Sequence, residues 1–392
     1  VRIGVPRRTL ALTAANALSA AGQGQFMFVL PWMLLARGHS PTTAALATAF
    51  VYVPLLVTTI PAGLTGDGTD PLRLLRLSLG ATLAASALYP LVTLAGADLF
   101  WLVLLAAFVA GTTRNFSEAA LLRGIGDTTR GSGMLRAHAI RTTVNQAAIF
   151  GSPFLGLLLF RLGGVDAVML GICALQLAAL AVLVPVPPIG PSAADRDRPP
   201  LAVGLASLRS NPRLRRIGWV NFTWNVFSGA ALGIMPAVLR EHVGMDEVTA
   251  GTTLVAGALA VVALTLPVVR TGQRRVGPLA TFLLAVAIEG AALLLLADGS
   301  VILLVPLVYV VFLLANSAAA ASLNGARALE VETDHQSFLN LILMGAGLIG
   351  FVLGLVLAAG LLGPLDFTAV LVLIGVGMAL TAAGFRRPLV AT

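Results

Sequence analysis

Three ionisable side chains interrupt long apolar runs, and they are where chemistry would be sought first: Arg114 and Glu118 in one run, Glu289 in another. A charge inside hydrocarbon is costly, so each is a functional candidate by default. A glutamate there can take up and release a proton. Arg114 and Glu118 stand four residues apart on one helical face and could neutralise each other. The pair reads either as a proton-handling site or as a structural, snorkelling pair near the interface. Glu289 has no opposite charge in its own run. It reads either as a proton carrier or as a neutral carboxyl packed between helices.

Three other runs carry polar and aromatic residues at helical spacing. Asn221, Trp224, Asn225 and Ser228 fall at i, i+3, i+4 and i+7, the spacing of one helix face. Asn16, Ser19, Gln23 and Phe26 form a similar face, and Tyr309, Phe312 and Asn316 a third. Such faces either bind a small molecule or hold helices together through amide and hydroxyl hydrogen bonds. Phosphate-binding loops, nucleophile triads and paired catalytic carboxylates are missing from the sequence. Cys173 is the sole cysteine, and His39, His138, His242 and His335 are far apart, so no metal-ligand spacing exists. The pattern predicts neither an enzyme nor a cofactor.

The elements that would position these residues follow from composition. Of 392 residues 58% are hydrophobic and 11% charged, with a mean hydropathy of +0.94. Soluble domains carry about 25% charged residues, so the solvent for this chain is lipid. About twenty apolar residues at ~1.5 Å each cross a bilayer core. That ruler predicts an all-α polytopic membrane protein of twelve transmembrane helices, near 10–36, 42–64, 77–96, 99–121, 138–160, 165–186, 216–239, 247–269, 276–297, 300–322, 336–361 and 366–385.

All 25 basic residues are arginine. With a cytoplasmic N-terminus, Arg37, Arg161 and Arg240 lie outside, Arg114 lies in the membrane and the other 21 lie inside. This bias places both termini in the cytoplasm. The net charge of +8 is therefore a topology signal, and nucleic acid is not an expected partner. Arginine without lysine, with heavy Ala, Gly, Leu and Val usage, points to a GC-rich bacterial genome and so to the bacterial cytoplasmic (inner) membrane. The first apolar run has no small-residue cleavage site and reads as a span.

The longest connection divides the chain into six helices and six: a bundle over 1–186, a cytoplasmic linker over 187–215 and a second bundle over 216–392. Leu201, Leu205 and Leu208 in the linker predict an amphipathic helix at the interface. Asn145, Gly151 and Gly156 in span five echo Asn340, Gly345 and Gly350 in span eleven, a weak internal repeat of the kind found in two-bundle transporters.

Several stretches resemble the major facilitator superfamily, in particular its bacterial siderophore and drug exporter branch. The first span ends Leu30-Pro31-Trp32. Gly63-Leu-Thr-Gly-Asp67 between spans two and three matches the opening of the family's loop signature. Gly151-Ser-Pro153-Phe-Leu-Gly156 resembles the antiporter element of span five, and Arg209-Ser-Asn-Pro-Arg-Leu-Arg-Arg216 is similar to that branch before span seven. The resemblance implies an Asp67–Arg73 gating latch, for which Arg76 is an alternative cation and a plain solvated turn the alternative reading. It implies flexing at Gly151, Pro153 and Gly156, and a cavity lined by spans one, seven and ten. Asn16, Gln23, Phe26, Asn221, Trp224, Asn225, Tyr309, Phe312 and Asn316 would then contact substrate, with Arg114, Glu118 and Glu289 coupling protons. The expected activity is alternating-access, proton-coupled export of a small amphiphilic compound, neutral or singly charged, by a monomer in contact with membrane lipid. An importer or lipid flippase of the same fold, or a membrane-embedded enzyme or sensor, is the alternative.

Overall fold

The computed structural model describes residues 6–128, 132–188, 210–298, 304–330 and 336–385. These residues are helical almost throughout, with no strand among them. The helices are α1 (Arg7–Ala36), α2 (Pro41–Gly68), α3 (Pro71–Leu94), α4 (Trp101–Thr128), α5 and α6 within Ser132–Leu183, α7 (Pro212–Ala237), α8 (Glu247–Val276), α9 (Pro278–Ala297), α10 (Val305–Glu330), α11 (Gln336–Leu361) and α12 (Phe367–Gly384). Gly163 and Gly164 separate α5 from α6. Gly164 has φ +64°, a left-handed conformation that only glycine adopts cheaply.

Helix starts are set by local chemistry more than by hydropathy. Asp70 accepts from the Leu72 amide at 2.9 Å, and Pro71 occupies the first helical position, so α3 begins six residues before its apolar run. Asn211 caps α7 in the same way, accepting from the amides of Arg213 and Leu214 ahead of Pro212. Asp366 accepts from the Ala369 amide and starts α12. Several helices also outlast their apolar runs, α2 to Gly68, α4 to Thr128 and α10 to Glu330.

Nine stretches among the described residues are long and apolar enough to cross a membrane, and Ala147–Leu183 spans both α5 and α6. α1 and α4 fall outside that set. These two carry the most polar interior faces, with Asn16, Ser19, Gln23 and Gln25 on α1 and Thr113, Arg114, Asn115, Ser117 and Glu118 on α4. Elsewhere many of the exposed side chains are leucines and valines, including Leu77, Leu170, Leu259, Leu284 and Leu380. An apolar outside with amides and hydroxyls buried within is the pattern that lipid as solvent selects.

The helices form two compact units. The first comprises 1–37, 50–196 and 247–254, and the second 38–49, 197–246 and 255–392. In the first, α1 runs along α5, and α3 packs on α4 and on the α5–α6 stretch. Leu12, Leu72, Leu75, Leu79, Leu121 and Leu183 form the apolar core at one end of this unit. In the second, α7 runs along α11, and α9 lies against α10 and α12.

Glycine makes these contacts close. A Cβ on Gly156 would meet Val29 Cγ2 at 2.6 Å, and one on Gly24 would meet the Ile149 carbonyl oxygen at 2.6 Å. In the second unit a Cβ on Gly350 would meet the Phe222 carbonyl oxygen, and one on Gly354 the Val226 carbonyl oxygen. Without lipid-excluding hydrophobic force between helices, small residues let backbones approach and gain dispersion contact. The α1–α5 and α7–α11 pairs are thus built alike. The second glycine of each echoed pair, Gly156 and Gly350, sits at the contact, while Gly151 and Gly345 face open space.

Candidate functional site

In the second unit, Glu289 on α9 is fully buried. The Trp224 indole N–H of α7 donates to its Oε2 at 2.9 Å, and the Asn316 amide of α10 donates to its Oε1 at 2.8 Å. Asn316 also donates to Ser228 Oγ at 2.6 Å, tying α7 to α10 through the same cluster. Phe282 meets the Trp224 ring edge-on at 5.7 Å between centroids, which fixes the indole over the carboxyl. Glu289 belongs to neither the Arg37–Asp98 nor the Arg141–Glu118 ion pair. Ser228 also hydrogen-bonds the carboxyl. A membrane carboxyl held by uncharged partners can change its charge by gaining or losing a proton, with no salt bridge to break.

The other candidates on α7 and α10 are mostly engaged with neighbouring helices. The Asn221 amide donates to the Leu343 carbonyl of α11 at 2.7 Å, and Asn225 donates to the carbonyl and side-chain oxygens of Asn221. A Cβ on Gly347 of α11 would meet Asn221 Nδ2 at 2.6 Å, so this half of the α7 stripe lies against α11. Tyr309 and Phe312 stack at 6.0 Å and are buried. The sequence placed Trp224 and Asn316 with the substrate and Glu289 with the proton; the structure brings the three together.

In the first unit the expected pairing of Arg114 with Glu118 does not form. Glu118 instead pairs with Arg141 of α5, a residue that sequence analysis did not single out. Its signal was available, since Arg141 falls inside the predicted fifth span. Arg114 points the other way, toward α1, where its recorded contact is Met27 Sδ at 3.7 Å. Arg114 lines a crevice with Gln23, Phe26, Met27, Val51, Leu55, Ala110 and Gly111. Asn115, also missed, donates to the Leu55 carbonyl and to Thr58 Oγ1 at 3.0 Å, fastening α4 to α2. Asn16 donates to Asn145 Oδ1 at 3.1 Å, an α1–α5 link.

At the ends of this unit, Asp67 lies in the last turn of α2 with its side chain outside the described residues. Arg73 is exposed on α3. Arg76 donates to the carbonyls of Leu183 at 2.7 Å and Val186 at 3.3 Å, meeting the unsatisfied carbonyls at the end of α6. That contact gives Arg76 a helix-capping role. The amphipathic helix expected around 201–208 lies outside the described residues. At the opposite ends of α1 and α3, Arg37 pairs with Asp98 at 3.0 Å and bonds Tyr89, and Tyr89 bonds Asp98. Trp32, which closes the Leu-Pro-Trp run, is buried and donates to Glu247 Oε1 at 3.3 Å.

Residues 12–318 match the family model of the Major Facilitator Superfamily. The chain belongs to that superfamily. Solved structures of the superfamily's architecture superpose over nearly the whole chain. The nucleoside transporter NupG gives a TM-score of 0.75 at 11% identity, covering 97% of this chain and 99% of that one. The human organic anion transporter MFSD10 (TETRAN) gives 0.68 at 16% identity with the same coverage. A bacterial metal transporter gives 0.65 at 15% identity, covering 98% of this chain and 99% of the other. At such identities these likenesses establish the fold. A search of curated protein sequences finds no significant match. Superfamily membership indicates a multi-pass membrane transporter rather than an enzyme.

Proposed function

We propose that this superfamily member exports a small amphiphilic organic compound across the bacterial inner membrane in exchange for protons, with Glu289 as the proton-carrying group. The observation that carries this reading is the buried Glu289 carboxyl held by Trp224 and Asn316. Both hydrogen bonds to the carboxyl respond to its protonation state, because a proton turns one carboxyl oxygen into a donor and removes the charge that strengthens the bond to the other. Protonation would therefore loosen or re-form ties from α9 to α7 and α10 at once. That gives one proton leverage over three helices, which is what coupling requires. Export rather than import follows from the resemblance of the first span, the span-five element and the run before span seven to the exporter branch. Arg141-paired Glu118 serves in this account as a structural link between α4 and α5.

The test is uptake of singly charged aromatic amphiphiles into inverted membrane vesicles energised acid-inside. The proposal expects saturable uptake that collapses with a protonophore and is lost in Glu289→Gln. Uptake indifferent to the protonophore, or seen only in right-side-out vesicles, would overturn it.

A further inference from the structure

Arg114 stands in the first unit without a carboxylate partner among the described residues. Glu118, one turn further along α4, is taken by Arg141. The neighbouring Asn115 turns its amide to α2. What faces the guanidinium is Met27 Sδ at 3.7 Å, a weak acceptor, with the buried Tyr52 close enough to feel its charge; neither neutral group supplies a counter-charge. Unlike a glutamate, an arginine cannot relieve this by losing its proton. A partly buried cation so placed in a membrane-spanning helix calls for a counter-charge, and no carboxylate among the described residues supplies it.

The walls say what kind of molecule brings it. Phe26, Val51 and Leu55 are buried apolar side chains, and Gln23 adds an amide. Gly111 holds α4 tight on α2, because a Cβ there would meet the Val51 carbonyl oxygen. The crevice has room for about one water molecule beside the guanidinium. A carboxylate is larger than that, so it would enter only as α1 and α4 part during the transport cycle, with the rest of the ligand outside the crevice. A guanidinium fork matches the two oxygens of a carboxylate. A dianion would leave its second charge unmet, since the crevice holds a single cation.

We infer that Arg114 is the anchor for the single carboxylate of an amphiphilic monoanionic substrate, with Gln23 as a hydrogen-bonding neighbour and Phe26 as a ring contact. This deepens the transport reading above and rests on it for the word substrate. It narrows the cargo from neutral or singly charged to singly negative.

The experiment uses the purified full-length chain and three ligand series on the same ring systems: arylalkyl carboxylates, their primary amides and arylalkyl amines. Thermal shift and equilibrium binding give the affinity ratio of each carboxylate to its amide. The wild type should favour carboxylates roughly tenfold to a hundredfold, the range of a charge-assisted hydrogen-bonded pair. Arg114→Gln should bring that ratio close to one, and Arg114→Lys should keep part of it. Met27→Glu, which puts a carboxylate of the protein's own within reach of the guanidinium, should also collapse the ratio. Two substitutions at different residues, one removing the cation and one pairing it, then guard against simple misfolding. Equal binding of amides or amines by the wild type, no saturable carboxylate binding, or an unchanged ratio in Arg114→Gln would overturn the anchor. Carboxylate binding that depends on Arg114 but is never coupled to protonophore-sensitive flux would instead overturn proton-driven export and leave the anchor standing.

Discussion

The indole N–H of Trp224 on α7 and the carboxyl of Glu289 on α9 form a fully buried hydrogen bond of 2.9 Å. In the proposed coupling this bond makes Trp224 a reader of the carboxyl's charge as well as a packing group. Trp224→Phe keeps the edge-on contact with Phe282 but removes the donor. It should destabilise the protein by about 1–3 kcal/mol, the usual result of leaving a buried polar group short of a partner. It should also weaken proton coupling without abolishing it, since Asn316 remains. Thermal unfolding in detergent together with flux at two pH gradients checks both halves of the expectation.

The Arg141–Glu118 pair joins α4 to α5, and Glu118 is about one-third exposed while Arg141 is more enclosed. Glu118→Gln should therefore cost about 1–2 kcal/mol, less than a fully buried pair, and leave protonophore-sensitive transport close to wild type. Loss of transport with unaltered stability would move the proton site from Glu289 to Glu118.

The two glycines of the span-five element should behave oppositely. Gly151 faces open space, so Gly151→Ala should be neutral or stabilise α5 by up to about 1 kcal/mol through helix propensity. Gly156 lies against Val29 and Gln25 of α1, and Val29 is a stiff β-branched side chain. Gly156→Ala should destabilise by about 1–3 kcal/mol, an overpacking penalty. Melting temperatures of the two variants in the same detergent give the comparison directly.

Much of the architecture was legible because lipid imposes a simple rule: apolar runs of membrane length become helices. The rule falters where helix chemistry and hydropathy diverge. α3 begins at Pro71 because Asp70 caps it, though Arg73 and Arg76 lie in its first turns. The candidate residues on α7 and α10 were visible as stripes, yet their joint contact with Glu289 was not. A stripe reports one helix, whereas the Trp224–Glu289–Asn316 cluster depends on how α7, α9 and α10 pack. The same limit explains Arg114. Glu118, at i+4, is the only opposite charge that α4 places one turn from Arg114, but it pairs with Arg141 of α5 instead.

The arginine distribution predicts that both termini and the 187–215 connection lie in the cytoplasm. Cys173 is buried and is the sole cysteine, so Cys173→Ala gives a background for single-cysteine labelling. Cysteines introduced at Ser192 and Thr392 should react with a membrane-impermeant maleimide only after the cells are opened. Labelling in intact cells would reverse the assigned orientation.

If Glu289 carries the coupled proton, ligand binding must displace it, and ligand-induced proton release from the purified protein in weakly buffered detergent solution reads that displacement. The carboxylate ligand with the largest thermal shift, ionised at the working pH, is added to wild type and to Glu289→Gln, with Glu289→Asp as a control that retains a titratable group. Wild type should release roughly one proton per chain, Glu289→Asp part of that and Glu289→Gln none. Undiminished release from Glu289→Gln, or none from the wild type, would rule Glu289 out as the proton carrier.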